Sequence, residues 1–361
     1  MNWPDLMRRK HGFADPVPAN VENDLTHHGV DDLHGHAKFT GDRQIKINAA
    51  TYDAVPRGHR CAEDVIDSTV FLDLDHLPSR ILFVGGGFIS FEFANIAACA
   101  GGRPVIVDRR NRSLVGFDPD LIALLIDRGR AAGVDLRRSS RVSGVERAAC
   151  GFRVTVDHSG SRECRDTDLV HGAGRVADLA DLGLDAAGVV WGERGVRVVG
   201  HLQSITNPAV WADGDSADTT GMPGDPCRGA RGQGGGLQHD QGHRHHPGLH
   251  RHSHRGVHHP GADPGRLHEA EARESGFDLA VRYTDTRTWY STYRVGETTA
   301  AAKILIDRST DLVVGAHLLG PAYSELVNTL GLAIKVGLTT RQLKSATTAY
   351  PTVGSGLGSL L

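Results

Sequence analysis

The sequence predicts an α/β fold organised around a parallel sheet, and three consecutive observations predict it. Ile81-Leu82-Phe83-Val84 is a short apolar run of the kind found in a strand buried on both faces. Gly85-Gly86-Gly87-Phe88-Ile89-Ser90 follows at once, and the apolar stretch Phe88 to Ala100 then reads as a buried helix. Pro104-Val105-Ile106-Val107-Asp108 reads as the next strand and ends in an acid 23 residues after Gly85.

Composition sets the frame. The chain has 361 residues, 39% of them hydrophobic, with Lys+Arg 40 against Asp+Glu 43 for a formal charge of −3. That is one or two domains' worth of chain with apolar residues enough for a core. Near-neutral charge without a basic block argues against a nucleic-acid partner. Met1-Asn2-Trp3-Pro4-Asp5 lacks a signal-peptide core, and Ile81 to Gly102 is broken by Gly85-Gly86-Gly87 and Glu92. Neither a membrane span nor a secretory leader is expected, so the chain reads as cytoplasmic. The five cysteines, Cys61, Cys99, Cys150, Cys164 and Cys227, form no C-x-x-C or C-x4-C pair, which excludes a disulfide scaffold, a zinc ribbon and a local redox dithiol.

Strand, glycine turn, helix, strand and acid together form a dinucleotide-binding βαβ unit with Ser90 in the third small-residue position. Gly85 permits the tight turn, Gly87 lets backbone N–H groups approach a pyrophosphate, and Ser90 allows close helix-to-strand packing. Asp108 is placed to accept hydrogen bonds from an adenosine ribose. A carboxylate there favours NAD, whereas Arg109 and Arg110 could pair with the extra phosphate of NADP. A glycine turn in some other α/β domain that binds nothing is the competing reading.

The pattern continues downstream. Asp118 to Ala132 reads as a helix with Leu121, Ile122, Leu125 and Ile126 on one stripe. Val134 to Arg137, Arg141 to Glu146 and Phe152 to Val156 alternate like strands, and Asp168-Leu169-Val170 runs into the turn His171-Gly172-Ala173-Gly174-Arg175. Pro208 to Ala212 reads as a strand leading to Asp213-Gly214-Asp215, a carboxylate able to hold a sugar-like diol. Near the C-terminus, Ala302 to Ile306 and Leu312 to Leu318 read as strands. A helix over Ala322 to Gly337 carries Tyr323, Leu326, Val327, Leu330 and Ile334 at helical spacing.

Between Gly221 and His268 the composition breaks: 48 residues hold 10 of the 21 His and 12 of the 45 Gly but only four branched aliphatics. Such a segment cannot bury enough apolar area to offset its ordering entropy. The imidazoles from His239 to His259 offer weak, nonspecific metal affinity, but their spacing frames no fixed ligand set, so no metal site is expected. A reading-frame shift accounts for the segment better, because GC-rich threonine codons displaced by one base become His or Pro codons. The shift would run from about Gly224 to Arg266, with the frame restored near Leu267. A single uninterrupted frame in the resequenced gene would sink this reading. The 34 Arg against six Lys fits a GC-rich gene.

Four segments together resemble the pyridine nucleotide-disulfide oxidoreductases, the family of dihydrolipoamide dehydrogenase, glutathione reductase and mercuric reductase. They are Gly85 to Glu92, the turn Gly172-Ala173-Gly174-Arg175, Ala212-Asp213-Gly214-Asp215, and a C-terminal piece containing Gly315 to Pro321, Leu338-Thr339 and Tyr350-Pro351-Thr352. The resemblance implies a Rossmann-like nicotinamide-binding domain inserted in a partial FAD-binding domain, followed by an α+β C-terminal dimerisation domain. The implied boundaries are a flavin-domain remnant at 1–65, the NAD(P) domain at 66–190, a returning flavin segment at 191–220, the His/Gly-rich segment at 221–268 and the dimerisation domain at 269–361. It further implies that Gly85, Gly86, Gly87, Phe88, Ile89, Ser90, Glu92, Asp108 and Gly174 contact or frame NAD(P), and that Gly214 and Asp215 hold FAD. The implied activity is hydride transfer from NAD(P)H to flavin and on to a small-molecule or protein acceptor, in a homodimer.

Departures from the family carry their own expectations. The family's first βαβ unit, with its FAD glycine motif and usually a C-x4-C pair, belongs upstream of Met1, so an N-terminally truncated chain is expected. Val55 to Cys61 stands where an Ala-Thr-Gly turn belongs. Tyr350 and Ser355 occupy the places of the family's acid/base His and its orienting Glu. A tyrosine with an ordinary pKa of about 10 is a poor proton shuttle near neutrality. Impaired disulfide chemistry follows as an expectation, with an inactive NAD-binding fragment and a His-rich metal binder as the alternatives.

Overall fold

A computed structural model describes residues 2–29, 35–42, 44–48, 68–149, 151–172, 179–212, 216–218 and 267–361. In chain order the first elements are α1 (Trp3–Ala14), α2 (Val17–His27), β1 (His36–Gly41), β2 (Gln44–Asn48) and α3 (Ser68–Leu72). The nucleotide-binding unit follows with β3 (Arg80–Val84), α4 (Phe88–Cys99), β4 (Arg103–Val107), α5 (Pro119–Ala131), β5 (Asp135–Arg137), β6 (Ser140–Arg147), β7 (Phe152–His158) and β8 (Ser161–His171).

These strands form a six-stranded sheet in the order β5-β4-β3-β8-β7-β6. β3 pairs in parallel with β4, to which α4 connects it, and with β8, and β6 to β8 close one side as an antiparallel meander. Alternation along β3 decides which layer each side chain joins. Ile81 and Phe83 face α4, where Phe83 meets Phe71 edge-on and Phe71 stacks on Phe93 at 4.6 Å. Leu82 faces the other way, onto Phe152, Val154 and Val156 of the meander. α1 joins this core through Trp3, whose Nε1–H donates to the Leu74 carbonyl at 2.8 Å.

A second, smaller unit is discontinuous in sequence. The antiparallel hairpin β1-β2 packs Phe39 onto a cluster built from Leu179, Leu184, Val189, Val196 and Leu202. Asn207 fastens the two parts, donating through Nδ2 to the carbonyls of Asp42 at 3.0 Å and Ala187 at 2.7 Å. Its short strands are β9 (Trp191–Gly192), β10 (Gly195–Arg197) and β11 (Ala217–Asp218). The strand expected over Pro208 to Ala212 is instead a turn with a single bridge, Trp211 to Gln203. Asn207 is the reason: its Oδ1 accepts from Ala209 N–H at 2.9 Å and bends the chain there.

The C-terminal unit spans 267–361. β12 (Leu279–Asp285), β13 (Ala301–Asp307) and β14 (Leu312–Leu319) form an antiparallel sheet with β13 at its centre. Every residue of β13 is buried, because the helix Tyr323–Val336 covers one face and Leu267, Leu279 and Val314 cover the other. That helix buries Tyr323, Leu326 and Leu330 as its spacing predicts, while Val327 stays exposed. α5 lies against β13 and β14, joining this unit to the nucleotide-binding one. No described helix is long and apolar enough to cross a membrane.

Candidate functional site

The site begins at the C-terminal end of β3. Gly85 turns the chain at φ +105°, a conformation that favours glycine, and its N–H donates to the Val107 carbonyl at 2.9 Å. Gly87 then caps α4 with no side-chain hydrogen bond, so the first N–H groups of the helix have no capping partner from Gly87. With the positive end of the helix dipole, they form a place for an anionic group.

The three glycines have different reasons to be there. A Cβ on Gly86 would stand 1.8 Å from Asp108 Oδ2 and 2.8 Å from Ser113 Oγ, so packing within the chain forbids it. A Cβ on Gly87 would meet only the Gly172 carbonyl at an ordinary 3.7 Å, and φ is −86°. Among the described residues nothing demands glycine at 87.

Ser90, in the third position, is fully buried in the first turn of α4 and presses on Gly172 at the end of β8. A Cβ on Gly172 would fall 2.1 Å from Ser90 Oγ. The predicted small-residue contact between helix and strand is therefore present, with Gly172 as its other half. Phe88 and Glu92 are exposed on α4, and Ile89 is half-buried.

Asp108 sits at the end of β4, only 3% exposed. Its carboxylate accepts from Ser113 Oγ at 2.7 Å and from the Arg110 N–H at 3.1 Å, while the side chains of Arg109 and Arg110 are exposed. The structure thus brings Asp108 against Gly86, tucked beneath the glycine turn. Ser113, its hydroxyl partner, escaped the sequence reading because nothing in a serine five residues past a strand marks it. Gly174, Gly214 and Asp215 lie outside the described residues, as do the residues from 49 to 67 and from 219 to 266.

At the other end of the chain, Tyr350 is 81% exposed and precedes Pro351 through a cis peptide bond. Ser355 is occupied locally: its N–H donates to Thr352 Oγ at 3.2 Å and its hydroxyl to the Thr352 carbonyl at 2.6 Å. Cys99 and Cys164 are both exposed and neither forms a disulfide.

A parallel sheet with a glycine turn, an uncapped helix N-terminus and a buried acid at the next strand end defines a dinucleotide-binding α/β protein. Comparison with known proteins takes this further. Residues 40–238 match the model of the pyridine nucleotide-disulphide oxidoreductases, and residues 267–360 match the dimerisation domain of the same family. The chain belongs to this family. It is 27% identical over 366 residues to a dihydrolipoyl dehydrogenase of Thermus scotoductus, covering 96% of this chain and 78% of that one. A glutathione reductase of Burkholderia cepacia is 25% identical over 370 residues, covering 98% and 80%. In fold it is similar to the HOCl-induced flavoprotein disulfide reductase RclA from Escherichia coli, with a TM-score of 0.82 at 21% identity, covering 100% of this chain and 86% of that structure. The family makes it an FAD- and NAD(P)-dependent oxidoreductase with a dimerisation domain. The inactive-fragment and His-rich metal-binder readings are not favoured.

Proposed function

We propose that NAD(H) binds with its pyrophosphate over Gly85, Gly86 and Gly87 and its adenosine ribose at the end of β4 beside Asp108. The observation that carries this is Gly87: a glycine that the chain's own packing does not require, at the uncapped N-terminus of α4. When bound, the nicotinamide supplies a hydride that FAD accepts. The chain's own part is positional. Gly87 and the first turn of α4 hold the phosphates, Ser90 against Gly172 keeps the helix close to the sheet, and Asp108 beneath Gly86 sets the shape of the turn. Phe88, Ile89 and Glu92 frame the site from the helix, Gly174 belongs to the same NAD(P) set, and Gly214 and Asp215 hold FAD. NAD is favoured over NADP by the carboxylate at the strand end, against the opposing charge of the exposed Arg109 and Arg110.

The acceptor is a small molecule or a protein reached from a homodimer, and the exposed Tyr350 offers it a hydrogen bond in place of an imidazole's proton. The protein works in the cytoplasm, apart from membranes and nucleic acid, with working boundaries at residues 65, 190, 220 and 268. The test is an absorbance spectrum of the purified chain, followed by anaerobic titration with NADH and then NADPH. A flavin band bleached first by NADH is the expected result. A colourless chain, or a flavin reduced by neither nucleotide, refutes the reading.

A further inference from the structure

Where α5 meets the C-terminal sheet, the described residues enclose a charge cluster that hydride transfer does not use. Lys303, 4% exposed on β13, directs its ammonium at Asp120 Oδ2 at 2.7 Å, Glu269 Oε2 at 3.0 Å and Asp118 Oδ2 at 3.1 Å. Burial by itself would lower the lysine's pKa, but its bonds to Asp120, Glu269 and Asp118 outweigh burial and hold it above the ordinary lysine value. Arg273 also binds Glu269, at 2.8 Å. Asp120 and Arg273 reach solvent, so the buried pair at the centre of the cluster is Lys303 with Asp118.

Two imidazoles share the place. The rings of His268 and His317 stack at 5.4 Å and 6°. One ligand atom from each of Asp118, His268 and His317 lies within 4.8 Å of the other two. Asp118 spends Oδ1 on capping α5, accepting from Asp120 N–H at 3.0 Å and Leu121 N–H at 3.3 Å. Its Oδ2 is buried, on a side chain 1% exposed, and pairs with the Lys303 ammonium at 3.1 Å. His268 Nδ1 is likewise buried. His317 donates its Nε2–H to the Leu267 carbonyl at 3.0 Å, which leaves Nδ1 with its lone pair. A backbone carbonyl fixing one ring nitrogen is how proteins orient an imidazole that binds metal through the other.

We propose that Asp118, His268 and His317 form a site for one divalent transition ion of the zinc class, bridging the nucleotide-binding and C-terminal units. Two imidazoles and one carboxylate are a donor set such ions favour, with water completing four-coordination. Ligands at the usual bond lengths stand about 3.4 Å apart around a tetrahedral ion, so binding draws the three side chains inward. It also turns one ring out of the parallel stack, since each imidazole must point a lone pair at the same ion. Lys303 is the resident competitor for Asp118 Oδ2, and it sets the affinity.

Cobalt(II) is the probe, because its visible spectrum reports coordination. The chain used is full length, with His239, His243, His245, His246, His250, His252, His254, His258 and His259 changed to Gln so that the His-rich segment takes up no metal. One cobalt per chain with a four-coordinate spectrum is expected. Uptake should weaken at least tenfold in His317→Gln and in His268→Gln, and tighten at least tenfold in Lys303→Met. The gain in the last variant cannot come from misfolding. No uptake at millimolar cobalt, or uptake unchanged in both histidine variants, overturns the proposal.

Discussion

Gly86→Ala and Gly87→Ala are neighbouring, chemically identical changes with opposite expected consequences. At Gly86 the new methyl would stand 1.8 Å from Asp108 Oδ2 and 2.4 Å from its Cγ, so the carboxylate must move. Moving it breaks the 2.7 Å bond from Ser113 or the 3.1 Å bond from the Arg110 N–H. A hydrogen bond to a buried charge is worth about 1.5–3 kcal/mol. Repacking an overfilled site adds about 1–3 kcal/mol, so a loss of about 2.5–6 kcal/mol is expected. At Gly87 the methyl meets only a carbonyl at 3.7 Å, and losing glycine from the helix cap costs under about 1 kcal/mol. The same methyl stands in the path of a pyrophosphate, so NADH binding should weaken at least tenfold. Urea unfolding midpoints and NADH fluorescence titrations of both variants separate the two effects. Adding Asp108→Ala to Gly86→Ala should cost much less than the sum of the single changes. Equal destabilisation by Gly86→Ala and Gly87→Ala would refute the division of roles.

Two further outcomes follow from buried polar groups. Ser90→Ala removes a buried hydroxyl that has no hydrogen-bond partner, so it should raise stability by about 1 kcal/mol, whereas Gly172→Ala should lower it by about 1–3 kcal/mol through contact with Ser90; unfolding midpoints check both. His317 has its pKa lowered in the folded chain by burial, opposed by Asp118 and the Leu267 carbonyl and aided by the positive charge of Lys303. The unfolded chain therefore binds the extra proton first. The contribution of this group is fully present above the unfolded value of about 6.5 and falls as pH drops below it. His317→Gln, measured with a chelator, should flatten the decline in stability between pH 7 and pH 5, and an unchanged pH profile would refute the assignment.

Much of this was legible in the sequence because periodicity carries it. The apolar run Ile81 to Val84, the stripe of Leu121, Ile122 and Ile126, and the spacing of Tyr323, Leu326 and Leu330 each report a buried face directly. α1 was less legible, since its stripe is short: Trp3 alone is fully buried, with Leu6 and Met7 packed beside it on the core. The role of Gly86 was hidden for a different reason: it is set by the Asp108 side chain arriving from the next strand. The cluster around Lys303 joins residues 183 positions apart, beyond the reach of any local pattern. One signal was available, however. A lysine inside the otherwise apolar strand Ala301 to Ile306 announces a partner, because a lone ammonium does not stay buried.

The bonds of Asn207 have a consequence in time. Its side chain reaches back 165 residues to the Asp42 carbonyl, and the whole nucleotide-binding unit is threaded between the two. At a synthesis rate of about 5–20 residues per second, the β1-β2 hairpin waits roughly 10–30 s for its fastener to leave the ribosome. Over that interval the inserted unit can complete its own sheet, while Ile45 and Ile47, exposed even in the finished hairpin, lie open to other chains. The order of synthesis makes the nucleotide site the first part of the protein to mature and the hairpin the part most in need of a chaperone.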